Sequence, residues 1–403
     1  MKNFLISFLL SFAFVFGVLF FLSKHDVVKP DSGVDFDDSI RLGAVYLKNN
    51  LQEDGRFVYL RRIRSKRAIP KKYNVLRHAG TLYAMAAYEK YVPDYGMRKK
   101  RAMGAKYLID RYVRKLSGGM YAVVSDKKEE QAFFETAKLG GAGLALCGIG
   151  DLYKDGVISE EMFAGLGDFI LFMQKSDGSF YSKYDVTSGR RRGHNSLYYP
   201  REAALGLLYL NDFLPDKKWV AAAKRALLYL STAENIEGKK PVFDHWTMLA
   251  TLKLFETPDN MLSDSEKSVL QAHAEQMAAI ALSKQITDAK HPYVGAQKGN
   301  IRPCSIATYM EGTAAIYEIV DDEELKKKLL KSLQLGNRFL SGVQIRETGD
   351  TLGGVPTAAD YKKRRKGNAD LIRIDNVQHS LSAWIAYQKL AKKMKKAAEQ
   401  RKS

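Results

Sequence analysis

The sequence predicts an all-α domain in which about twelve helices form two concentric rings, with short β pieces in the loops. Two observations lead to this prediction. Apolar helical segments alternate along the chain with amphipathic ones, and a helix that is apolar on every side belongs inside a packed assembly. In addition, one loop pattern recurs along the chain, as expected for an array built from a single repeated unit.

The predicted helices follow one another without a clear domain break. The even-numbered ones are rich in Ala and Gly, as in residues 139–146, and such small residues let helices approach closely. The odd-numbered ones are amphipathic, as in 323–330, where Glu and Lys side chains share one face. We therefore expect six helical hairpins with the even-numbered helices inside. The twelve segments are 37–50, 75–92, 95–114, 130–153, 158–175, 199–213, 216–232, 243–257, 263–284, 304–320, 322–343 and 375–395.

A recurrent loop follows the odd-numbered helices. Residues 52–57 and 174–180 both run from a Gln through Asp-Gly to a Phe, and 117–121 and 352–356 are weaker copies. The Asp-Gly pair makes a tight turn, because glycine adopts the left-handed backbone conformation at little cost. Strands are expected only as short pieces in the loops, at Phe57 to Leu60 and Met120 to Val124.

The N-terminus carries an almost unbroken apolar run from Phe4 to Leu22. About 20 apolar residues are needed to cross a bilayer, and the run has no small-x-small cleavage site at its end. We expect an uncleaved membrane anchor, with a cleaved signal segment as the alternative. Either places the domain outside the cytoplasm, in a periplasmic or extracellular position. The predicted organisation is anchor or signal 1–23, linker 24–36, toroid domain 37–395 and basic tail 396–403.

Positive charge dominates, with 64 Lys and Arg against 45 Asp and Glu and a formal net charge of +19. Such an imbalance indicates partners rather than fold. The basic runs 61–72, 190–192 and 362–366 each precede an even-numbered helix, so we expect them to form a cationic rim around one mouth of the ring. That rim would attract a polyanion. For an exported protein this indicates an acidic glycan, and no nucleic acid is expected; protein partners stay unknown.

The two cysteines do not form a disulfide framework of the kind that small exported domains use. Cys147 and Cys304 stand in even-numbered helices on opposite sides of the predicted ring. We therefore expect two buried, unpaired thiols.

Polar side chains stand at the entrances of the apolar helices. In a ring of parallel inner helices these entrances meet at one mouth, which is the predicted site. The residues singled out there are Tyr73, Asn74, Arg77, His78, Tyr199, Arg201, Glu202, Asp244, His245, Trp246, Glu311, Asp375, Gln378 and His379.

With hairpins, loop pattern and polar entrances in place, residues 37–395 resemble the (α/α)6-toroid enzymes. These include six-hairpin glycosidases, N-acylglucosamine 2-epimerases, the C-terminal domain of glucuronyl C5-epimerases, and terpenoid-cyclase and prenyltransferase toroids. The resemblance is one of architecture and loop pattern, and no single family's motif matches across the chain. The 2-epimerases use an arginine on an early inner helix and two histidines on later ones, a pattern similar to Arg77, His245 and His379. Met248 stands where those enzymes have a glutamate, one turn after the first histidine.

Glu202 and Asp244 are the candidate acid and base, or acid and nucleophile, for cleaving a glycosidic bond. Their structural alternative is that carboxylates at helix N-termini serve as caps or as partners of the helix dipole. Glu311 lies deeper in an apolar helix, where a carboxylate needs a partner, and an arginine of the mouth is the candidate. For Glu311, a structural ion pair and a site residue stay equally open.

The histidines at helix starts are His78, His245 and His379, and each is either a hydrogen-bonded core residue or part of a shared site. No HExxH motif and no clustered Cys/His spacing occurs, so neither a metal nor another cofactor is expected. The aromatic and amide residues of the mouth suit sugars by stacking and hydrogen bonding. Arg77 and Arg201 suit a carboxylate or phosphate group.

The lead prediction is a membrane-tethered, extracytoplasmic enzyme that hydrolyses an acidic envelope or exopolysaccharide glycan. Glu202 and Asp244 form its acid–base pair, and Arg77, His78, His245 and His379 bind or assist. One alternative is a sugar epimerase using His245 and His379, or a uronic-acid lyase in which Arg77 neutralises the carboxylate and Tyr199 or His245 is the base. The other is a non-catalytic toroid that binds a glycan or a partner of an envelope assembly complex.

Geometry separates these functions. Hydrolysis predicts two carboxylates facing one open cleft, about 5–10 Å apart. A scaffold predicts carboxylates paired with arginines and a closed mouth. An epimerase predicts His245 and His379 facing each other across a pocket.

Overall fold

The computed structural model describes residues 35–70, 73–128, 135–192, 196–233, 241–363 and 367–400. Within these ranges the chain forms twelve α-helices. They are α1 (Asp37–Asn49), α2 (Val75–Tyr91), α3 (Tyr95–Tyr112), α4 (Leu139–Ile149), α5 (Glu160–Met173), α6 (Tyr199–Asn211), α7 (Lys217–Ala233), α8 (His245–Glu256), α9 (Asp264–Lys284), α10 (Pro303–Ile319), α11 (Glu323–Val343) and α12 (Ile374–Gln400).

The even-numbered helices form a closed inner ring, in which each contacts the next from α2 through α12 and α12 returns to α2. The odd-numbered helices lie outside, each packed on the inner helices beside it. The predicted double ring of six hairpins is therefore confirmed. Cys147 on α4 and Cys304 on α10 lie on opposite sides and are free thiols, although only Cys147 is fully buried.

The apolar character of the inner helices allows them to pack without a solvated face. All eleven residues of α4 are buried. A Cβ atom on Gly143 would lie 2.2 Å from the carbonyl oxygen of Glu202 in α6, and one on Gly206 would lie 2.5 Å from the Cα of Gly143. The small residues therefore set the close approach of α4 and α6.

The strands are short and lie in the loops between helices. Two strands that precede inner helices pair antiparallel, with Leu60 opposite Arg373, and five others form an antiparallel sheet in chain order. The strands are β1 (Leu60–Arg62), β2 (Val113–Lys115), β3 (Tyr121–Ser125), β4 (Thr136–Lys138), β5 (Lys183–Asp185), β6 (Arg190–Arg192) and β7 (Leu371–Arg373). The prediction of a helix over 130–153 was wrong at its start, because 136–138 pair with both neighbouring strands and the helix begins at Leu139.

A glutamine at the end of an outer helix binds that helix to the next outer helix. The side-chain amides of Gln174, Gln285 and Gln344 each donate to a backbone carbonyl of α7, α11 or α1, at 2.9, 3.0 and 3.0 Å. The same amides donate back to glycine carbonyls of their own turns, at 3.3, 3.3 and 3.2 Å. We call this arrangement the Gln–Gly turn; it closes the outer ring between α11 and α1.

A glycine in each of these turns touches the backbone of the next outer helix. Gly353 has a φ of +79°, and a Cβ atom there would lie 1.8 Å from the carbonyl oxygen of Leu42. Gly55, Gly178 and Gly295 make the equivalent approaches to α3, α7 and α11. The predicted weak copy at 352–356 is thus a true copy, and a further copy at 285–295 was missed. The predicted copy at 117–121 was wrong, because it is the turn between β2 and β3.

No helix of the described ranges is both long enough and apolar enough to cross a bilayer. The predicted anchor, and the linker up to residue 34, lie outside the described residues. The predicted tail from 396 is part of α12 as far as Gln400.

We expect Gly353→Ala to lower the free energy of unfolding more than Gly118→Ala, a matched control with a φ of +71° and no atom near the added methyl group. Gly118→Ala should lose only the free energy that an alanine needs to adopt the left-handed backbone conformation, about 1–2 kcal/mol. Gly353→Ala should lose about 1–3 kcal/mol more through overlap with α1. Urea denaturation followed by circular dichroism measures both, and equal losses would show that the close approach contributes nothing.

Candidate active site at the N-terminal ends of the inner helices

The starts of the inner helices meet around a cavity of about 1130 Å³, which we call the front cavity. All six inner helices contribute residues from their first two turns, α4 through Leu144. The expected convergence at one mouth is therefore confirmed. Of the residues singled out from the sequence, the cavity is lined by Asn74, Arg77, Tyr199, Glu202, His245, Trp246, Asp375, Gln378 and His379.

Two histidines face each other in this cavity. His245 is the first residue of α8 and His379 lies in the second turn of α12, with ring centroids 5.3 Å apart and planes at 80°. Glu311 of α10 lies between them: its Oε2 is 2.7 Å from Nδ1 of His379 and 3.8 Å from Nε2 of His245. All three side chains are buried. We call this group the His–Glu–His cluster.

The cluster gives its two histidines opposite proton affinities. Burial lowers the pKa of His245 well below its ordinary value, and the neighbouring His379 lowers it further. Burial also opposes the charged form of His379, but Glu311 and then Asp375 outweigh it and raise the pKa of His379. His245 is therefore the neutral acceptor of the pair and His379 the histidine that binds a proton more readily, and such pairs carry acid–base assignments.

The partner of Glu311 was predicted to be an arginine, and the structure shows a histidine instead. The packing of Met248 explains why no carboxylate stands one turn after His245. Met248 is fully buried in an apolar cluster with Phe243 and residues of α9 and α10, away from the cavity. The carboxylate beside the histidines therefore comes from a neighbouring helix.

Glu202 is a buried carboxyl group that lines the cavity without a partner. It lies in the first turn of α6 against Gly140, where an added Cβ would lie 1.9 Å from Oε2. That Oε2 has no hydrogen-bond partner among the described residues. Burial, and then the charge of Asp244, raise the pKa of Glu202 to about 8. Glu202 is therefore a protonated acid at neutral pH.

Asp244 does not line the cavity, so the expected pair of carboxylates facing one cleft is not formed by Glu202 and Asp244. Asp244 is the N-cap of α8, where its Oδ1 accepts from the backbone N–H groups of Trp246, at 2.8 Å, and Thr247. Its other oxygen pairs with Arg201, which also donates to the Thr247 hydroxyl at 2.9 Å. The geometry favours the structural alternative for Asp244 and makes Arg201 its buried counter-ion.

Tyr73 and His78 also lie away from the cavity. The Tyr73 hydroxyl is 2.6 Å from Nδ1 of His78, and the other ring nitrogen is 2.8 Å from the carbonyl oxygen of Gly104 in α3. Burial lowers the pKa of His78 to about 4, so its ring is neutral and joins α2 to α3. These two predicted binding residues therefore have a packing role.

Three arginines bring positive charge to the cavity; from the sequence, Arg302 was considered only as a candidate partner of Glu311, and Arg373 was missed. Asp375 accepts from Arg77, with Nε 2.8 Å from Oδ2, and pairs with Arg373 through its other oxygen. Burial opposes the ionised form, but these arginines lower the pKa of Asp375. The third is Arg302, which is exposed at the start of α10. Arg302 and Arg373 each stand directly before an inner helix, a signal available in the sequence.

The expected cationic rim of basic runs does not line the cavity. No described side chain of 61–70, 190–192 or 362–363 is among its lining residues, and 71–72 and 364–366 lie outside the described residues. Arg61 is instead buried, donating to Asn50 at 2.8 Å and pairing with Asp350 at 2.9 Å. Arg64 pairs with Asp370. These arginines hold the loops before α2 and α12 together.

The His–Glu–His cluster also has the donor set of a divalent-cation site. One ligand atom from each residue lies within 4.8 Å of the others. Two imidazoles and a carboxylate suit zinc or another transition metal. Without a metal, the same groups form the hydrogen-bonded acid–base pair described above.

No protein-family model and no curated protein matches this sequence. Solved structures do match. They include a cellobiose 2-epimerase from Bacillus thermoamylovorans (9% identity, TM-score 0.63, 86% of this chain and 98% of that one) and a D-mannose isomerase (11%, 0.60, 88% and 97%). A third is an α-1,6-mannanase from a Salegentibacter species (10%, 0.58, 88% and 100%). At these identities the likeness shows the fold alone, which is the (α/α)6 toroid.

The neutral state of Glu202 predicts a pH dependence of stability. With its pKa raised from 4.5 to about 8, the folded protein keeps a proton that the unfolded chain releases. The stabilising contribution is therefore full below about pH 4.5 and is lost as the pH rises through about 8. Wild type should lose free energy of unfolding relative to Glu202→Gln, which cannot ionise, between about pH 5 and pH 9. Denaturation at several pH values measures this, and parallel curves for the two proteins would contradict it.

Proposed function

We propose that the protein is a carbohydrate-active enzyme that moves a proton on a sugar, as an epimerase or an aldose–ketose isomerase does. The observation that carries this proposal is the pair of histidines with opposite proton affinities, facing each other at 5.3 Å in the front cavity. The matching structures support it, since their names include a sugar 2-epimerase and a sugar isomerase.

The reaction needs a base and an acid at one carbon. Neutral His245 takes the proton from the carbon beside the sugar's carbonyl group, and the electron pair of the broken C–H bond moves towards the carbonyl oxygen. Protonated His379 then returns a proton to that carbon, and the carbonyl group re-forms to give the epimer. For the isomer, the proton goes to the former carbonyl carbon, while the hydroxyl proton of the first carbon moves to the former carbonyl oxygen, so that the carbonyl group changes place. The proton gained by His245 afterwards returns to His379, and Glu311 lies within 2.7 Å and 3.8 Å of the two rings for this transfer.

The remaining wall of the cavity suits a sugar that carries negative charge. Arg77, Arg302 and Arg373 line it, with Asp375 paired to two of them, together with the positive ends of the inner helices. Trp246 and Tyr199 offer aromatic faces for a pyranose ring, and Asn74 and Gln378 offer amides for its hydroxyl groups. We therefore propose a uronic acid or another acidic sugar as substrate.

Hydrolysis of a glycosidic bond is the second candidate, and Glu202 favours it. A protonated carboxyl group in the cavity is the general acid that a glycosidase needs. The second carboxylate would be Asp375, which is ionised and lines the same cavity, rather than Asp244. Asp375 is engaged by two arginines, which is why we place this function second.

We also propose that the enzyme is held at a membrane by the apolar run from Phe4 to Leu22, with its domain outside the cytoplasm. The length of the run supports this location.

We expect the full-length protein to convert at least one reducing sugar from a panel of mannose, glucose, glucuronate, galacturonate and their short oligomers. Proton NMR in D2O should show both the new isomer and deuterium at the reacting carbon. His245→Gln and His379→Gln should each lower the rate by about 10²–10⁴-fold. His291→Gln is the matched control, because His291 lies in a loop outside the cavity.

The same variants separate the two candidates. The function is hydrolysis if the wild type cleaves a glycan, if Glu202→Gln abolishes this cleavage, and if both histidine variants retain it. If no sugar is changed by the wild type, or if His245→Gln and His379→Gln act as fast as His291→Gln, the proposed proton transfer is wrong.

A further inference from the structure

A second cavity opens at the opposite end of the ring. It has a volume of about 360 Å³ and lies among the C-terminal halves of the inner helices; we call it the back cavity. Close packing of large side chains would fill such a space, as in most protein interiors. Five alanines leave room in the walls, and larger side chains, among them Leu249, Ile385, Tyr83 and Tyr209, complete the lining; the alanines are Ala86, Ala87, Ala314, Ala315 and Ala386.

The floor of the back cavity is the His–Glu–His cluster. Glu311 lines this cavity, while its Oε2 faces His379, which lines the front cavity. The other carboxylate oxygen, Oε1, is buried and has no hydrogen-bond partner among the described residues. A ligand in the back cavity would therefore lie one side chain away from the histidines.

Lysines surround the outer end. Lys90, Lys253, Lys389 and Lys393 line it, against the acids Glu256 and Glu318. Lys253 is paired with Asp212 at 2.7 Å, and Lys393 is paired with Glu318. Within the described ranges, Lys90 and Lys389 have no ion pair.

Both lysines are exposed. Desolvation by the surrounding protein and the like charge of Lys90 lower the pKa of Lys389, whereas Glu256 acts in the opposite direction. Two unpaired cations brought together at the end of an apolar shaft are complementary to an anion with an apolar body.

The start of the described chain lies at the same end. The Tyr91 hydroxyl, in the last turn of α2, donates to Asp37 and accepts from Lys392 of α12 at 2.7 Å. Asp35 accepts from Gln388, next to Lys389. If the apolar run before residue 35 is the membrane anchor proposed above, the back cavity faces the bilayer.

We propose that the back cavity binds an anionic lipid, with its hydrocarbon chain in the alanine-lined shaft and its phosphate group on Lys90 and Lys389. The site is separate from the sugar site and needs no catalysis. Its occupant differs from the sugar in both halves, since the front cavity offers arginines, amides and aromatic faces and the back cavity offers alanines and lysines.

The test uses the full-length protein in nanodiscs of neutral phosphatidylcholine, with decyl phosphate as the probe and isothermal calorimetry as the measurement. Wild type should bind decyl phosphate at least tenfold more tightly than it binds decanol or inorganic phosphate. The double variant Lys90→Gln/Lys389→Gln and the shaft-filling variant Ala386→Leu should each weaken decyl phosphate at least tenfold. Lys362→Gln, an exposed lysine elsewhere, and Arg302→Gln, in the front cavity, should bind as wild type does.

Equal binding by the lysine variant and wild type would overturn the proposal, as would inorganic phosphate binding as tightly as decyl phosphate. Loss of binding only in Arg302→Gln would move the ligand to the front cavity and also overturn it.

Circular dichroism verifies that the variants are folded. The sugar reaction is measured on the same samples, so that failure of lipid binding with intact turnover counts against this inference alone. A second titration shows whether the ligand can come from the bilayer. It uses discs of phosphatidylglycerol in place of phosphatidylcholine, and this anionic lipid should compete with decyl phosphate for the back cavity.

Discussion

The Gln–Gly turn is the interaction on which the geometry of the ring depends. The side-chain amides of Gln174, Gln285 and Gln344 fix the ends of three outer helices to the outer helices that follow them. A glycine in each turn removes the side chain that would keep the two backbones apart. Since the loop that begins with each turn leads to an inner helix, these contacts also set where the inner helices start. The front cavity is therefore a consequence of how the outer ring is joined.

Burial then gives the helix starts their chemistry. His245 and His379 are the same residue type at equivalent ends of two inner helices, and both are desolvated. What mainly separates them is the Glu311 carboxyl group, which is hydrogen-bonded to His379 and is 3.8 Å from His245, with Asp375 acting in the same direction on His379. An asymmetric contact inside a nearly symmetric ring therefore distinguishes the acid from the base.

The sequence predicted the helices and the mouth but not the pairings inside it. The alternation of apolar and amphipathic segments predicts the double ring, because it shows which helices have a side exposed to water. Which side chains meet inside the ring depends on how each inner helix is rotated about its own axis. The alternation of apolar and amphipathic segments does not report this rotation for a helix that is apolar on every side. Hence Glu311 was expected beside an arginine and lies beside His379, and Asp244 was expected to face the cavity and caps α8. His78 shows the same limit, since its partner is a backbone carbonyl of α3.

Several buried polar atoms at the centre of the ring have no hydrogen-bond partner within the described ranges. A buried polar atom without a partner destabilises a fold, so stable interiors contain few of them. Among the described residues, Oε2 of Glu202, Nε2 of His245, Oε1 of Glu311 and Oε1 of Gln378 are such atoms at the two cavities, and others, such as Tyr46, Ser125 and Asn337, lie elsewhere in the fold. Arg101 shows that the same chain can satisfy a fully buried charge, with Glu89, Asp151 and a carbonyl oxygen around it. Because each of the four atoms lies beside a cavity, a ligand bound there could supply the hydrogen bond that the protein does not.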